Sequence, residues 1–290
     1  MNLEIISKYP AAERHSTPLL FVHGMFCTAS SWDKHFLGYF ARHGYASHAV
    51  NLRGHGNSDG KERLRWTRIA EFVEDVEQAV GELPAPPVII GHSMGGFITQ
   101  KYLEDHDARA AVLLSSPSPS GMLPTVIRKA LKHPLTLAKI NLTLNLRHFI
   151  ATPKLALDAF FSDELPEAQL IEYWKQMQDD SVMAFLDMIA LDLPRPEKVK
   201  TPILVIGAGR DNMIAPRENE ETARAYNTQP VFVPNVAHNS MLEVRWQRVA
   251  DCILSWLRER GFADREMNLK SQTNPHFTTT TGDYHEERKE

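Results

Sequence analysis

Short apolar runs alternate along the chain with longer segments in which apolar residues recur every three or four positions. The runs are rich in Val, Ile and Leu and are bounded by Gly, Ser, Asn or Pro, a pattern typical of strands buried on both faces. They lie at 18–22, 46–52, 87–91, 110–115, 202–207 and 229–233, with a further candidate at 3–7. Helical patterns lie at 66–81, 95–106, 216–226 and 245–260. The alternation predicts an α/β fold, a mostly parallel central sheet with helices on both faces.

The alternation stops between residues 118 and 195, where helical patterns continue without a strand-like run. We therefore expect a core formed by residues 1–117 and 196–263, and a helical cap inserted at 118–195. Beyond it, residues 264–290 contain a Thr run, mixed charge and few large apolar side chains, which predicts a polar, flexible tail.

The predicted cap consists of two halves of opposite net charge. Residues 121–154, the cationic half, carry six Lys or Arg and no Asp or Glu; residues 155–192, the acidic half, carry nine acids and one lysine. One interpretation of the cationic half is a lid that contacts anionic lipid surfaces. The alternative is that its apolar face covers the core while its cations pair with the acidic half.

The amino-acid composition excludes or disfavours several classes of protein. The 290 residues are 43% hydrophobic and 23% charged, which excludes wholesale disorder, and the net charge of −4 disfavours a dedicated nucleic-acid binder. Two cysteines, Cys27 and Cys252, are too few for a disulfide scaffold or a four-thiolate zinc site. No secretory signal and no apolar run of membrane-spanning length are found, so we expect a cytoplasmic protein with peripheral membrane contact at most. The oligomeric state is left open.

The strongest chemical motif is Gly91-His92-Ser93-Met94-Gly95, of the form G-x-S-x-G. It follows a predicted strand and opens a predicted helix, which is the context that a nucleophile elbow requires. There the serine lies in a sharp turn, with its hydroxyl presented above the sheet. The alternative interpretation is a glycine-rich turn that contains an incidental serine.

A serine nucleophile needs a base that is held by a third group, in the chain order Ser, acid, His. Asp211 follows the strand predicted at 202–207, and His238 lies on the loop after the strand predicted at 229–233. Both therefore fall at strand ends, where catalytic side chains meet. The competing interpretations are a turn-capping acid for Asp211 and a loop histidine bonded to backbone for His238.

Acyl transfer also needs donors for an oxyanion. We expect these to be the backbone N–H groups of Met94, which follows the nucleophile, and of Met25, in the loop after His23-Gly24. An ordinary His-Gly turn is the alternative.

Large apolar side chains of the predicted cap are candidates for an acyl pocket. They are Phe160, Phe161, Tyr173, Trp174, Met177, Met183, Phe185 and Met188. At helical spacing such a group more often forms plain cap core. The expected pocket residues are His23, Gly24, Phe26, His92, Phe160, Phe161, Trp174 and Met183.

The chain resembles the α/β-hydrolase superfamily, especially its esterase and monoacylglycerol-lipase or lysophospholipase-like members. The resemblance lies in His23-Gly24 with Trp32, in 51–58 (NLRGHGNS), in 91–96 (GHSMGG), in 209–211 (GRD) and in 237–238 (AH). It implies a Ser93–Asp211–His238 triad and an oxyanion donor at Met25. Two departures are Asn51, where the family often has Asp, and a short N-terminus, from which we expect one or both leading antiparallel strands to be missing.

These observations predict a serine hydrolase of carboxylic esters, with acylglycerol-like or lysolipid-like substrates and no metal or organic cofactor. Two alternatives stay open: carbon–carbon bond hydrolysis or cofactor-free perhydrolysis on the same triad, and a small-molecule receptor on a hydrolase scaffold. A serine at the elbow argues against dehalogenases and epoxide hydrolases, which need a carboxylate there.

Overall fold

The computed structural model describes residues 1–12, 14–132 and 134–263. The tail expected at 264–290 lies outside the described residues. No helix among the described residues combines the length and apolar character needed to cross a bilayer.

Seven strands form one sheet in the order β1-β3-β2-β4-β5-β6-β7. They are β1 (Ile5–Lys8), β2 (Leu19–Val22), β3 (Ser47–Val50), β4 (Val88–His92), β5 (Ala110–Leu114), β6 (Ile203–Ala208) and β7 (Pro230–Val233). Only β1 is antiparallel to its neighbour, β3. The other pairs are parallel, so the carboxyl ends of β2, β4, β6 and β7 lie at one edge of the sheet.

The α-helices lie between successive strands from β2 onward and after β7. They are α1 (Ser30–Asp33), α2 (Phe36–Arg42), α3 (Ile69–Gly81), α4 (Met94–Tyr102), α5 (Leu123–Lys132), α6 (Pro134–Thr143), α7 (Pro153–Phe160), α8 (Glu167–Gln176), α9 (Val182–Leu186), α10 (Pro216–Ala225) and α11 (Trp246–Glu259). Helices α5 to α9 follow β5 and precede β6, and none of the described residues between those strands joins the sheet.

Alternate residues of the central strands point to opposite faces of the sheet, and each face has its own apolar cluster. Phe21 and Ile90 pack with α1, α2 and α11 on one face. Leu20 and Ile89 pack with α3, α4 and α10 on the other. Burial on both faces explains why these strands read as continuous apolar runs rather than as alternating ones.

The structure confirms the predicted fold, and the strands begin and end within about two residues of their predicted positions. Helices α1 and α2 have no counterpart in the prediction, because four and seven residues are too few to establish a helical period. One leading antiparallel strand, β1, is present, so the short N-terminus supplies one such strand among the described residues.

The departure at Asn51 has a structural reason. Its Oδ1 accepts the Ala29 N–H at 2.7 Å, while its Nδ2 donates to Oε2 of Glu4 at 2.5 Å. An aspartate here would set a second carboxylate against Glu4. Burial would raise the pKa of Glu4, but hydrogen bonds from Asn57 and Asn51 lower it below its ordinary value. The amide therefore joins the N-terminal strand to the loop at 51–58.

Candidate active site

Ser93 lies in a strained turn between β4 and α4. Its φ of 52° and ψ of −121° fall in a region that non-glycine residues rarely adopt. The turn is tight because Gly95 lies against β2: a Cβ at Gly95 would be 2.3 Å from the Val22 carbonyl oxygen. Ser93 is fixed by its own N–H, which donates to the Leu114 carbonyl at 3.0 Å. This is the local geometry of a nucleophile elbow.

Asp211 and His238 are hydrogen-bonded to each other. They follow the neighbouring strands β6 and β7, and Nδ1 of His238 lies 2.9 Å and 3.0 Å from the two carboxylate oxygens. Asp211 also accepts the backbone N–H groups of Met213 and Ile214. Burial would raise the pKa of Asp211, but His238 and these donors lower it below its ordinary value. Asp211 is therefore an anion that holds a proton on Nδ1 and leaves Nε2 as the basic nitrogen.

His92 connects the elbow to the His238 loop. Burial lowers the pKa of His92 to about 3, so its ring is neutral. Its Nε2–H donates to the His238 carbonyl at 2.9 Å, and the two ring centroids are 4.9 Å apart. The residue that precedes Ser93 therefore positions the backbone of His238, and it does not line the cavity described below.

His23 and Gly24 form a wall behind Ser93. Burial lowers the pKa of His23 to about 3, and the neutral ring accepts the Leu52 N–H at Nε2 and donates from Nδ1 to the Gly24 carbonyl. A Cβ at Gly24 would lie 2.9 Å from the Cβ of Ser93, so no larger residue fits there. These two expected pocket residues thus shape the turn and do not line the cavity.

The turn at 24–27 carries the expected oxyanion donor. The Cys27 N–H donates to the Gly24 carbonyl at 3.3 Å, and the central residue Phe26 has a φ of 63°. The Phe26 N–H donates to Oδ2 of Asp180, so neither the Phe26 nor the Cys27 N–H is free for a ligand, and the Met25 N–H remains the expected donor of this turn. Met94 begins α4, so its N–H has no acceptor within the helix.

An apolar cavity opens on Ser93 beneath the inserted helices. Phe26, Met25 and Phe160 line it on the Ser93 side. The inserted segment and the β6 loop add Met122, Phe149, Phe185, Met188 and Met213. Phe160, one of its walls, also packs beside the imidazole, since the ring centroids of Phe160 and His238 are 5.7 Å apart.

Three further residues expected in the pocket also lie outside the cavity lining. Phe161 stacks on Tyr173 at 6.1 Å, and the indole N–H of Trp174 donates to the Ile150 carbonyl, so both belong to the packing of the inserted segment. Met183 lies outside the cavity lining because Phe185 and Met188, three residues apart, share the helix face that meets it. Helical spacing within 182–191 could have separated these two from Met183.

Two charged side chains also line the cavity, Lys129 on α5 and Asp158 on α7. Burial, together with the charge of Lys132, lowers the pKa of Lys129 to about 8. The cavity therefore combines apolar walls with a cation on the α5 side.

Comparisons with known proteins identify the fold. A model of the alpha/beta hydrolase family matches residues 19–252. The monoacylglycerol lipase of Mycolicibacterium smegmatis is 35% identical over 100 residues, which make up 31% of this chain and 35% of that protein. The match thus spans about a third of that relative's length.

Two solved structures are similar over nearly the whole chain. A putative non-heme bromoperoxidase from Mycobacterium tuberculosis H37Rv has a TM-score of 0.69 at 20% identity, covering 90% of this chain and 97% of that one. The monoacylglycerol lipase of Paleococcus ferrophilus has a TM-score of 0.67 at 19% identity, covering 90% and 100%. At such identities the similarity establishes the fold.

Proposed function

The chain belongs to the alpha/beta hydrolase family, and we propose that it is a serine hydrolase that cleaves carboxylic esters with apolar, lipid-like acyl groups. One observation carries the proposal. The hydrogen-bonded pair of Asp211 and His238 lies at the same sheet edge as the strained Ser93, and Ser93 lines an apolar cavity whose wall residue Phe160 packs beside His238.

In the proposed reaction the Ser93 hydroxyl attacks the ester carbonyl while Nε2 of His238 takes its proton. Asp211 is suited to its part because it is already ionised and bonded to Nδ1, so it holds the required tautomer and stabilises the imidazolium that forms. The oxyanion accepts hydrogen bonds from the N–H groups of Met25 and Met94.

Collapse of the first intermediate releases the alcohol, which receives the proton from His238 and leaves an acyl group on Ser93. Water then attacks this acyl-enzyme with His238 again as the base, and the acid leaves.

The cavity supports an apolar acyl group. Its walls are mainly Met and Phe side chains, and methionine adapts to flexible, irregular apolar ligands. We expect medium or long acyl chains to be preferred to acetyl, because each buried methylene contributes about 0.8 kcal/mol.

The surface of the cationic half supports the proposal that the protein encounters its substrate at a lipid surface. Its exposed apolar side chains are Leu123, Ile127, Leu131, Leu135, Leu142 and Leu144. Six cations and no acids accompany them over residues 121–154. Exposed leucines together with a positive surface favour adsorption to an anionic lipid–water interface.

The test is hydrolysis of p-nitrophenyl esters of graded chain length by the wild type and by Ser93→Ala. We expect turnover that rises with chain length, and a loss of kcat on the order of 10⁶-fold in the variant. A fluorophosphonate probe should label the wild type at Ser93 and leave the variant unlabelled.

The alternatives give different results. A receptor on this scaffold would bind apolar esters without turnover, and a perhydrolase would give peracid when hydrogen peroxide and acetate are supplied. The proposal fails when no ester is hydrolysed and the probe leaves Ser93 unlabelled in the presence of anionic vesicles.

A further inference from the structure

Asp180, a carboxylate of the acidic half, is buried against the oxyanion turn, the turn at 24–27 that carries the expected oxyanion donor Met25. Its Oδ2 accepts the Phe26 N–H at 2.8 Å, from a residue 154 positions away, and its Oδ1 accepts the Ser181 N–H at 2.7 Å. The neighbouring Gln178 donates its backbone N–H to the Phe26 carbonyl at 3.0 Å. Both polar groups of Phe26 are therefore bonded to the inserted segment rather than to the core.

These contacts hold a strained residue. Phe26 has a φ of 63°, in the left-handed region that a residue with a large side chain adopts only when its surroundings impose it. Since Met25 precedes Phe26 in the same turn, the orientation of the Met25 N–H depends on the conformation that Asp180 and Gln178 hold.

His55 holds Asp180 from the other side. Its Nε2 lies 3.3 Å from Oδ2 of Asp180, and its Nδ1 lies 3.1 Å from the Arg53 carbonyl. Both neighbours are acceptors, so both ring nitrogens carry hydrogen and the ring is an imidazolium. Burial would lower the pKa of His55, but the charge and hydrogen bond of Asp180 raise it above its ordinary value. The side chains of both residues are fully buried.

The titratable groups around His55 come from three elements. Asp180 faces it from the inserted segment, and Asp75 of α3 contributes a second negative charge, although it is paired with Arg53 at 2.8 Å. His23, whose ring centroid is 4.7 Å away, is neutral because burial lowers its pKa to about 3. Asp180 is therefore the direct charge partner of His55.

We propose that Asp180, held by the imidazolium of His55, is a positioning residue for the oxyanion hole, because it fixes the Phe26 peptide so that the Met25 N–H points at the reacting carbonyl. The inference rests on the proposed function, since it concerns the same site. It makes part of the acidic half a component of the active site, although no atom of Asp180 touches the substrate.

The first test compares Asp180→Asn with Asp163→Asn, a matched change at a side chain that is 89% exposed in the same half. A misplaced oxyanion donor slows the chemical step, so we expect Asp180→Asn to lower kcat by about 10- to 100-fold with little change in KM. Asp163→Asn should stay within about twofold of the wild type. Equal kcat in the wild type and Asp180→Asn would overturn the proposal.

The second test uses His55→Gln, which keeps a donor near the position of Nε2 but does not titrate. In the wild type, kcat should fall as pH rises through the raised pKa of His55. His55→Gln should lose this alkaline limb and keep kcat within about tenfold at neutral pH. An alkaline limb that is the same in both proteins would contradict the role of His55.

The third measurement is independent of activity. Hydrogen exchange of the Phe26 amide should be at least about tenfold faster in Asp180→Asn than in the wild type, since the amide loses its carboxylate acceptor. Absence of ester hydrolysis in the wild type would remove the proposed function, whereas unchanged exchange at Phe26 would remove the inference about Asp180.

Discussion

In the acidic half of the inserted segment, six of nine carboxylates pair with cations that lie outside the segment, among them Arg68, Lys101 and Arg210. In the cationic half, by contrast, Arg128 with Glu218 is the one ion pair found among the described residues. Among the described residues no ion pair joins the two halves, so these contacts give no support to the interpretation in which the cations pair with the acidic half.

This difference in ion pairing indicates that the two halves of the inserted segment have different roles. Residues 155–192 are held to the core by ion pairs, two of which involve the buried carboxylates of Asp180 and Asp187, and Asp180 reaches the turn at 24–27. Residues 121–154 direct outward most of their cations, Lys129 excepted, together with Leu131, Leu135 and Leu142, which are at least 78% exposed. Stability should therefore depend on the acidic half, and contact with lipid on the cationic half.

The largest expected effect is on stability, in Asp187→Ala. The Asp187 carboxylate is fully buried, accepts the Ile69 N–H at 3.0 Å and pairs with Arg68. Its removal leaves those donors without an acceptor, and we expect the free energy of unfolding to fall by about 3 kcal/mol. Urea denaturation measures this free energy. Asp163→Ala is the control at an exposed carboxylate, and we expect it to change the free energy of unfolding by less than about 0.5 kcal/mol.

A loss below about 1 kcal/mol in Asp187→Ala would show that the acidic half is not an anchor. The same would follow if the exposed control lost as much stability as the buried site.

The next effect concerns lipid binding by the cationic half. Replacing Leu131, Leu135 and Leu142 together by Ser should weaken binding to anionic vesicles by about 100-fold, at roughly 1 kcal/mol for each leucine that partly enters the interface. Vesicle cosedimentation measures this. The free energy of unfolding should stay within about 0.5 kcal/mol, since the side chains are exposed in the folded protein. Unchanged vesicle binding would assign these leucines to another contact.

A smaller effect is expected from the cations themselves. Lys132→Gln with Lys139→Gln should weaken binding to anionic vesicles by about 30-fold at low salt, at about 1 kcal/mol per lysine. Binding to uncharged vesicles should not change, and the difference should shrink at 0.5 M salt. An equal loss on charged and uncharged vesicles would exclude electrostatic attraction as the cause.

The sequence predicts those parts of the molecule whose determinants are local. Strands buried on both faces are continuous apolar runs, and the elbow is a five-residue motif between a strand and a helix. Asp180 could not be predicted in this way, because its partners Phe26 and His55 are 154 and 125 positions away. Only the packing of the inserted segment on the core brings them together.

The residues that line the cavity could likewise be predicted only in part from the sequence. Phe160 is found there as expected, but Trp174 is turned away by its hydrogen bond to the Ile150 carbonyl. Met213 enters from the loop that also carries Asp211, and no periodic pattern identifies a residue in such a loop. Which large apolar side chains face a cavity depends on how short helices are oriented, and the apolar pattern leaves that orientation open.

Lys129 is an exception within the cationic half. Its side chain lines the cavity, whereas the other cations of this half face outward or pair with the core. Burial and Lys132 lower its pKa to about 8. Between about pH 8 and the ordinary lysine pKa of about 10.4 the unfolded chain binds more protons at this site, so the wild type gains stability as pH rises. Lys129→Met removes the buried charge, and we expect it to stabilise the fold by about 1 kcal/mol at pH 7, a value reduced for the partial exposure of the side chain.

The difference between Lys129→Met and the wild type should vanish by about pH 10.5, where the wild-type lysine is neutral in both states. Urea denaturation of both proteins at pH 7 and pH 10.5 measures it, and other titrating groups cancel in the comparison. A variant that is less stable than the wild type at pH 7 would mean that the Lys129 cation is stabilised by Asp158 or Asp211 across the cavity. If Asp158 is the stabilising charge, the two halves are coupled electrostatically at this point without an ion-pair contact, whereas stabilisation by Asp211 would couple the cationic half to the core.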